Sequence, residues 1–418
     1  MRQILPSLLA LSLLLSVNAD PASRHAPPSV PGWLNIHGHS LLTPEFYGPA
    51  PHELAPLREM IGGAQVVGLG DGTHGTHEFF TVKLRIIDFL VREMDFDTIV
   101  LEGPVPQFAD LNAYVLGADV DPRAVLQEVG GPTLGYVFWE CEEILAVLDW
   151  MREYNQTRGT RPPVQIFGSD NFGQNYAYHD VIDYLDGVDP GLAATARAEY
   201  ACIGASHFTT SCGAQATRVR DALLATEAGL IARSSFYDYS IALYNAMTVL
   251  NAQSGIFARD RVMAENVTWL RDRMSTTGRA VFWGHNAHMS RREMDLSVGV
   301  PTGEYLAGAY GEDYYAIGTM TGGGSFQTWV SRRGRLVRQV ATFQPFGPNS
   351  HEASLSRRNA LSFILPLRGE LPEWLTADLE MNAANASGPG DGSTEVLPTA
   401  FDAVVYIPET TPLRMLRP

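Results

Sequence analysis

Gln65-Val66-Val67-Gly68-Leu69-Gly70 is a short apolar run ending in glycines, the pattern of a strand buried in a parallel sheet. Asp71 follows it, and then Phe80, Leu84, Ile87, Val91 and Met94 recur at spacings of four and three, which predicts a helix. The unit repeats. Thr98-Ile99-Val100-Leu101-Glu102 reads as a second strand ending on a carboxylate, and Glu140 to Tyr154 as a helix through Ile144, Val147, Leu148 and Met151. Val164-Gln165-Ile166-Phe167-Gly168-Ser169-Asp170 is a third strand, again ending on an acid. From about Tyr176 to Thr277 the pattern is helical, and Arg279-Ala280-Val281-Phe282-Trp283-Gly284-His285 restores the strand pattern and ends on a histidine. Tyr314 to Met320, Phe326 to Ser331 and Ala403 to Ile407 are later strand candidates, whereas Asn382 to Thr394 is low-complexity and reads as a mobile loop.

This alternation predicts an α/β fold: a mostly parallel central sheet flanked by helices, with a helical insertion or cap. The expected division is a signal peptide over 1–19, an extended N-terminal segment over 20–50, and the first part of the α/β core over 51–175. A helical subdomain over 176–277 and the second part of the core over 278–418 complete it.

Arg2, the apolar run Ile4 to Val17 and the small residue Ala19 read as a secretory signal cleaved after Ala19, so a secreted or periplasmic location is expected. In that compartment a Cys202–Cys212 disulfide closing a short loop is expected, with Cys141 an inert buried thiol. The chain has 418 residues, 45% hydrophobic and 18% charged, which fits a globular protein with a sizeable core. Thirty Lys plus Arg against 46 Asp plus Glu give a net charge of −16. Such a surface repels phosphate backbones, so neither nucleic acid nor, after signal cleavage, a membrane is expected as a partner.

Ligands of open α/β sheets bind outside the carboxyl ends of the strands. Four of these strand ends carry Asp71 to His74, Glu102, Asp170 and His285 to His288, so polar chemistry gathers at one edge of the sheet. His74 is a titratable group that can take a proton from water near neutral pH. His285 and His288, three apart after a buried strand, face one pocket if a helical turn follows. Lys83 shares the apolar face of its helix with Phe79, Phe80 and Ile87, and an inward lysine needs a carboxylate; Asp71 and Glu102 are the candidates. Arg259 and Asn266 face inward with Met263, either lining the pocket or tying the helical cap to the core. No Gly-x-Ser-x-Gly elbow occurs, and no cysteine has a nucleophile's setting, which favours attack by water.

Five blocks carry a resemblance: Gly68-Leu69-Gly70-Asp71-Gly72-Thr73-His74-Gly75-Thr76-His77-Glu78-Phe79-Phe80; Leu101-Glu102-Gly103; Gly168-Ser169-Asp170; Arg259-Asp260-Arg261-Val262-Met263-Ala264-Glu265-Asn266; and Trp283-Gly284-His285-Asn286-Ala287-His288. In this order they resemble the signature blocks of the erythromycin esterase family, across essentially the whole mature chain. The resemblance implies an α/β core with a helical subdomain, a small-molecule ester or lactone substrate, and an activated water with no obligatory metal or cofactor. It implies His74 as general base, Glu102 as holder of that histidine or the water, and His285 with His288 as oxyanion stabiliser and leaving-group acid. Asp71, Lys83, Asp170, Arg259 and Asn266 match substrate-binding or supporting positions. Two positions depart from the macrolide esterases, which carry glutamate where this chain has Asp71 and arginine where it has Lys83. A bidentate fork thereby becomes a point charge. Two other readings use the same scaffold: a divalent-metal hydrolase, for which the pairs His74/His77 and His285/His288 have a coordinating spacing, and a non-enzymatic small-molecule or haem binder.

Overall fold

The computed structural model of the chain describes residues 29–49, 51–131, 134–203, 211–294, 299–333, 335–358, 361–381 and 393–417. The signal segment 1–19 and nearly all of the low-complexity stretch lie outside them. In chain order the strands are β1 (His39–Leu41), β2 (Val66–Asp71), β3 (Thr98–Pro104), β4 (Gln165–Asp170), β5 (Ala280–His285), β6 (Tyr314–Thr321), β7 (Ser325–Arg332), β8 (Arg335–Thr342), β9 (Ser362–Pro366), β10 (Leu379–Met381), β11 (Ser393–Glu395) and β12 (Ala403–Ile407). Eight of them form one sheet in the order β1-β9-β12-β6-β2-β5-β3-β4. From β12 to β4 all pairings are parallel; β9 runs antiparallel to both β12 and β1. The sheet is therefore mostly parallel, as the sequence pattern predicts.

Both faces of the central strands are covered, which is why they read as unbroken apolar runs. Val67, Leu69, Ile99, Leu101, Ile166, Val281 and Trp283 point into one layer of core, with Phe79, Phe80 and Ile87 of the His77–Met94 helix. Val66, Val100, Phe167 and Phe282 point into the other, with Met263, Val267 and Leu270 of the Arg259–Arg273 helix. The helical stretch builds a separate cluster around Leu185, Val219, Leu223, Leu243 and Val249. Its last helix, Arg259–Arg273, belongs to the sheet's own layer instead, and that placement brings Arg259 to the strand ends.

The segment read as extended over 20–50 is corrected in part. Val30–His37 is a helix whose N-terminus is capped by the Ser29 side chain, with Pro31 in its first turn, and β1 extends the sheet edge. Pro, Gly and His mask so short a helix in the sequence, although Trp33 and Leu34 anchor it. β7 is a strand as expected, but it pairs with β8 in a separate hairpin outside the main sheet.

Cys202 and Cys212 are disulfide-bonded with Cα atoms 5.8 Å apart, and Cys141 is a buried free thiol whose pKa burial pushes well up. Closing a loop of this length stabilises by about 2–3 kcal/mol through the unfolded chain's lost entropy. The Cys202→Ser/Cys212→Ser protein is expected to lose about that much in urea unfolding, with Cys141 still protected from alkylation under native conditions. An unchanged midpoint would contradict it.

Candidate active site

The order β2-β5-β3-β4 places four polar strand ends on four adjacent strands: Asp71, His285, Glu102 and Asp170. Asp71 and His285 are direct register partners. Residues far apart in the chain thus converge at one sheet edge, all of them buried.

Glu102 is the hub. Its Oε1 lies 2.7 Å from Arg259 Nη2 and 3.2 Å from His288 Nε2; its Oε2 accepts the His285 backbone N–H at 3.1 Å and stands 3.7 Å from His74 Nε2. Burial alone would raise its pKa, but His288, Arg259 and His74 outweigh burial and hold the carboxylate well below the usual range. Glu102 is an anion at any working pH. Gly284 makes this approach possible, because a Cβ there would sit 2.9 Å from Glu102 Oε2.

His74 is held from two sides. Its Nδ1 is 2.9 Å from Asp71 Oδ1, although the contact is off-axis and neither atom gains a well-directed hydrogen bond. The Phe138 ring lies flat against the imidazole, with centroids 4.1 Å apart. The other Asp71 oxygen accepts from Lys83 Nζ at 2.6 Å, which settles the lysine's partner in favour of Asp71. Burial again opposes, yet Lys83 and His74 keep Asp71 ionised with its pKa well lowered. Lys83 also donates to Gly284 O and lies 4.9 Å from the Trp283 ring centroid. Burial brings its pKa down to about 8 against the pull of Asp71 and, more weakly, Glu102.

The two later histidines have opposite characters. His285 ends β5 and accepts the Ala287 N–H on its Nδ1 at 3.2 Å, so a neutral ring carries its proton on Nε2. Burial, with repulsion from His74, lowers its pKa to about 4, leaving a neutral donor. His288 sits between Asp260 Oδ1 at 2.6 Å and Glu102. These two carboxylates outweigh burial and raise its pKa to about 10, so it is an imidazolium. Arg259 Nη1 also lies 3.1 Å from His288 Nε2, but both carry protons, so we read that approach as shared contact with Glu102 and not as a hydrogen bond. Asn286 fixes this turn by donating to Thr319 O and accepting the Thr319 N–H.

Arg259 forks onto Asp170 and Glu102 and lines the site. Asn266 instead donates to Ser169 O at 2.7 Å, tying its helix to β4 behind the site. The coordinating pair His74/His77 does not form. His77 turns away to Glu143 and Glu45, at 2.6 and 2.8 Å. Among the described residues one group of His, Cys, Asp or Glu is close enough to share a metal, Glu45, His77 and Glu78, but Glu78 is already bonded to Thr411. At Glu102 a divalent ion would meet the Arg259 and His288 cations, an arrangement that repels it. An apolar groove of about 850 Å³ beside the Arg259–Arg273 helix contains none of the acid–base groups.

Asp260, Asn286, Phe138 and Tyr136 enter the site without having been singled out as site residues. Asp260 and Asn286 stood inside the quoted blocks; the aromatic run Tyr136-Val137-Phe138-Trp139 was the only signal for the others.

The sequence profile described as Erythromycin esterase matches residues 91–410, a span that includes Glu102, Asp170, Arg259, His285 and His288 but begins after Asp71, His74 and Lys83. The Escherichia coli protein named erythromycin esterase type II is 24% identical over 404 residues, covering 85% of this chain and 94% of that one. A solved Bacillus cereus protein superposes with a TM-score of 0.81 at 24% identity, over 93% of this chain and 98% of that one. An erythromycin esterase mutant in its open conformation does so with a TM-score of 0.65 at 20% identity, over 90% and 97%.

The buried lysine makes a pH prediction. Its folded pKa is lowered to about 8, so it loses its proton, and Asp71 its counter-charge, as pH rises through that value. Activity that depends on the Asp71–His74 arrangement should decline above about pH 8. Lys83→Arg cannot lose its charge there and should remove the decline; a pH–rate profile with the same alkaline limb in both proteins would contradict this.

Proposed function

This chain belongs to the erythromycin esterase family, and from that premise we propose that it is an exported hydrolase that cleaves a carboxylic ester or lactone with a histidine-activated water. The observation that carries the proposal is the set of three histidines in three electrostatic settings around Glu102. His74 has carboxylates on both ring edges, His285 is neutral, and His288 is cationic.

Asp71 beside Nδ1 favours the tautomer whose Nε2 lone pair faces Glu102. The 3.7 Å between His74 Nε2 and Glu102 Oε2 exceeds a direct hydrogen bond and suits two groups that share one water. In the proposed step His74 removes a proton from that water while its oxygen bonds to the carbonyl carbon. The carbonyl electron pair moves to oxygen, where the neutral His285 Nε2–H stabilises it. Collapse breaks the bond to the alkoxide, which takes its proton from the His288 imidazolium. The proton gained by His74 restores the set through solvent, so one water is consumed and an acid and an alcohol leave. Asp71 and Glu102 stabilise the charge that His74 acquires, the orienting role of the acid in a catalytic triad.

Substrate choice follows from the two departures. Asp71 is a methylene shorter than glutamate, and Lys83 offers a compact charge in place of a fork. Erythromycin is therefore expected to be a poor substrate, with simple esters or smaller lactones better; efficient turnover of erythromycin would overturn this. Export rests on the Arg2, Ile4 to Val17, Ala19 pattern and on the disulfide, which forms in oxidising compartments. N-terminal sequencing of exported protein should begin at Asp20, and a chain still beginning at Met1 would overturn it.

The mechanism predicts that His74→Ala lowers kcat by about 10² to 10⁴, the range for a lost general base, with KM little changed. His285→Ala should also slow the reaction, and the double variant should lose much less than the product of the single losses. A folded His74→Ala protein with near-normal kcat would remove His74 as base.

A further inference from the structure

Tyr136 has no assigned part in this chemistry, yet it stands among the groups that do. Its side chain is buried, and its hydroxyl makes no directed hydrogen bond. Asp170 Oδ1 is likewise buried without a partner, while the other Asp170 oxygen is bound by Arg259. The Tyr136 ring packs edge-on against Phe138, which stacks on His74, and edge-on against Phe172, which lies under the Arg259 guanidinium. Tyr136 thereby spans the two halves of the site, from the His74 side to the Arg259–Asp170 side. Its backbone is fixed by its N–H to Val129 O and its carbonyl to the Trp139 N–H.

A buried polar group without a partner destabilises a fold, and such groups persist where function requires them. The charges around it decide what this hydroxyl can do. Burial, reinforced by Asp170, raises its pKa well above the usual phenol value, and Arg259 opposes only in part. It cannot act as a base, because it does not ionise at working pH. It can only donate.

We propose that the Tyr136 hydroxyl is a catalytic hydrogen-bond donor to the oxygen that becomes negative when water adds to the substrate carbonyl. This rests on the hydrolase reading above and adds a donor to it. The water oxygen bonds to the carbonyl carbon, the carbonyl electron pair moves onto oxygen, and the Tyr136 O–H points at that oxygen without giving up its proton. When the tetrahedral species collapses the pair returns to the carbonyl and the hydroxyl is unchanged, so no further reactant is needed. A donor that is unsatisfied in the free protein and satisfied in the transition state favours the transition state over the ground state.

Tyr136→Phe removes one oxygen and keeps the ring, so its packing against Phe138 and Phe172 is retained. Assayed on a panel of simple esters and lactones, it should lower kcat about a hundredfold, the range for one lost donor to an oxyanion, with KM changed only a few-fold. Its Tm should equal or exceed that of the unmodified protein, because an unpaired buried hydroxyl is gone. Fluorotyrosine at position 136 keeps the donor and should retain most of the activity. Normal kcat in Tyr136→Phe, with His74→Ala inactive on the same ester, would overturn this assignment alone. A lower Tm together with lost activity in Tyr136→Phe and in the fluorotyrosine protein would make the hydroxyl structural and overturn it too. An unmodified protein that hydrolyses nothing in the panel would overturn the hydrolase reading with it.

Discussion

The site depends on one buried carboxylate. Glu102 lies at the end of a central strand and gathers the Arg259 guanidinium, the His288 imidazolium and the His285 backbone N–H, with His74 facing it at 3.7 Å. A carboxylate without partners in such a place would cost several kcal/mol and take up a proton. Its partners come from three separate parts of the chain, and none is optional. They make Glu102 permanently anionic, and that fixed charge in turn keeps His288 protonated and stabilises the charge that His74 would gain. The set is nearly balanced: Glu102, Asp71, Asp170 and Asp260 against Lys83, Arg259 and His288. Its dipoles are fixed by hydrogen bonds before a substrate arrives, the arrangement that lowers the reorganisation needed to reach a charged transition state.

The fold serves this arrangement in two ways. Parallel strands put their carboxyl ends at one edge, so chemistry from four strands shares one volume. Close packing does the rest. A Cβ at Gly284 would collide with Glu102, and one at Gly70 would lie 2.3 Å from Asn286 Oδ1, so two glycines let the histidine turn lie down on the strand ends. The Arg259–Arg273 helix packs through Met263 and Val267 against the sheet, and Asn266 pins it to β4, which is how a residue at its first position reaches Glu102. The apolar core and the charged site are held by the same elements.

The central strands were legible because they are buried on both faces and end on a polar residue, so Val66 to Asp71, Thr98 to Glu102 and Ala280 to His285 each declare both a strand and a site. The peripheral ones were not. β8 carries Arg335, Arg338 and Gln339 without a full apolar face, β9 is short and ends on a proline, and β1 has three residues. Lys83 was legible as an inward charge, but helix spacing does not tell Asp71 from Glu102. The separation of His77 from His74 depends on how the turn before the helix is wound, which residue spacing does not specify. The His288–Asp260 pair joins residues 28 apart on different elements. Tyr136 lies in an irregular connection with no periodicity.

The central claim is that water attacks directly, with no covalent intermediate on the protein. A single turnover with enzyme in excess, run in heavy-oxygen water and quenched for mass spectrometry, tests it. Direct attack places one heavy oxygen in the acid product on the first turnover and leaves the protein at its original mass throughout. Heavy oxygen incorporated into Asp71, Glu102 or Asp170, or a quenched protein carrying the acyl group, would contradict the account.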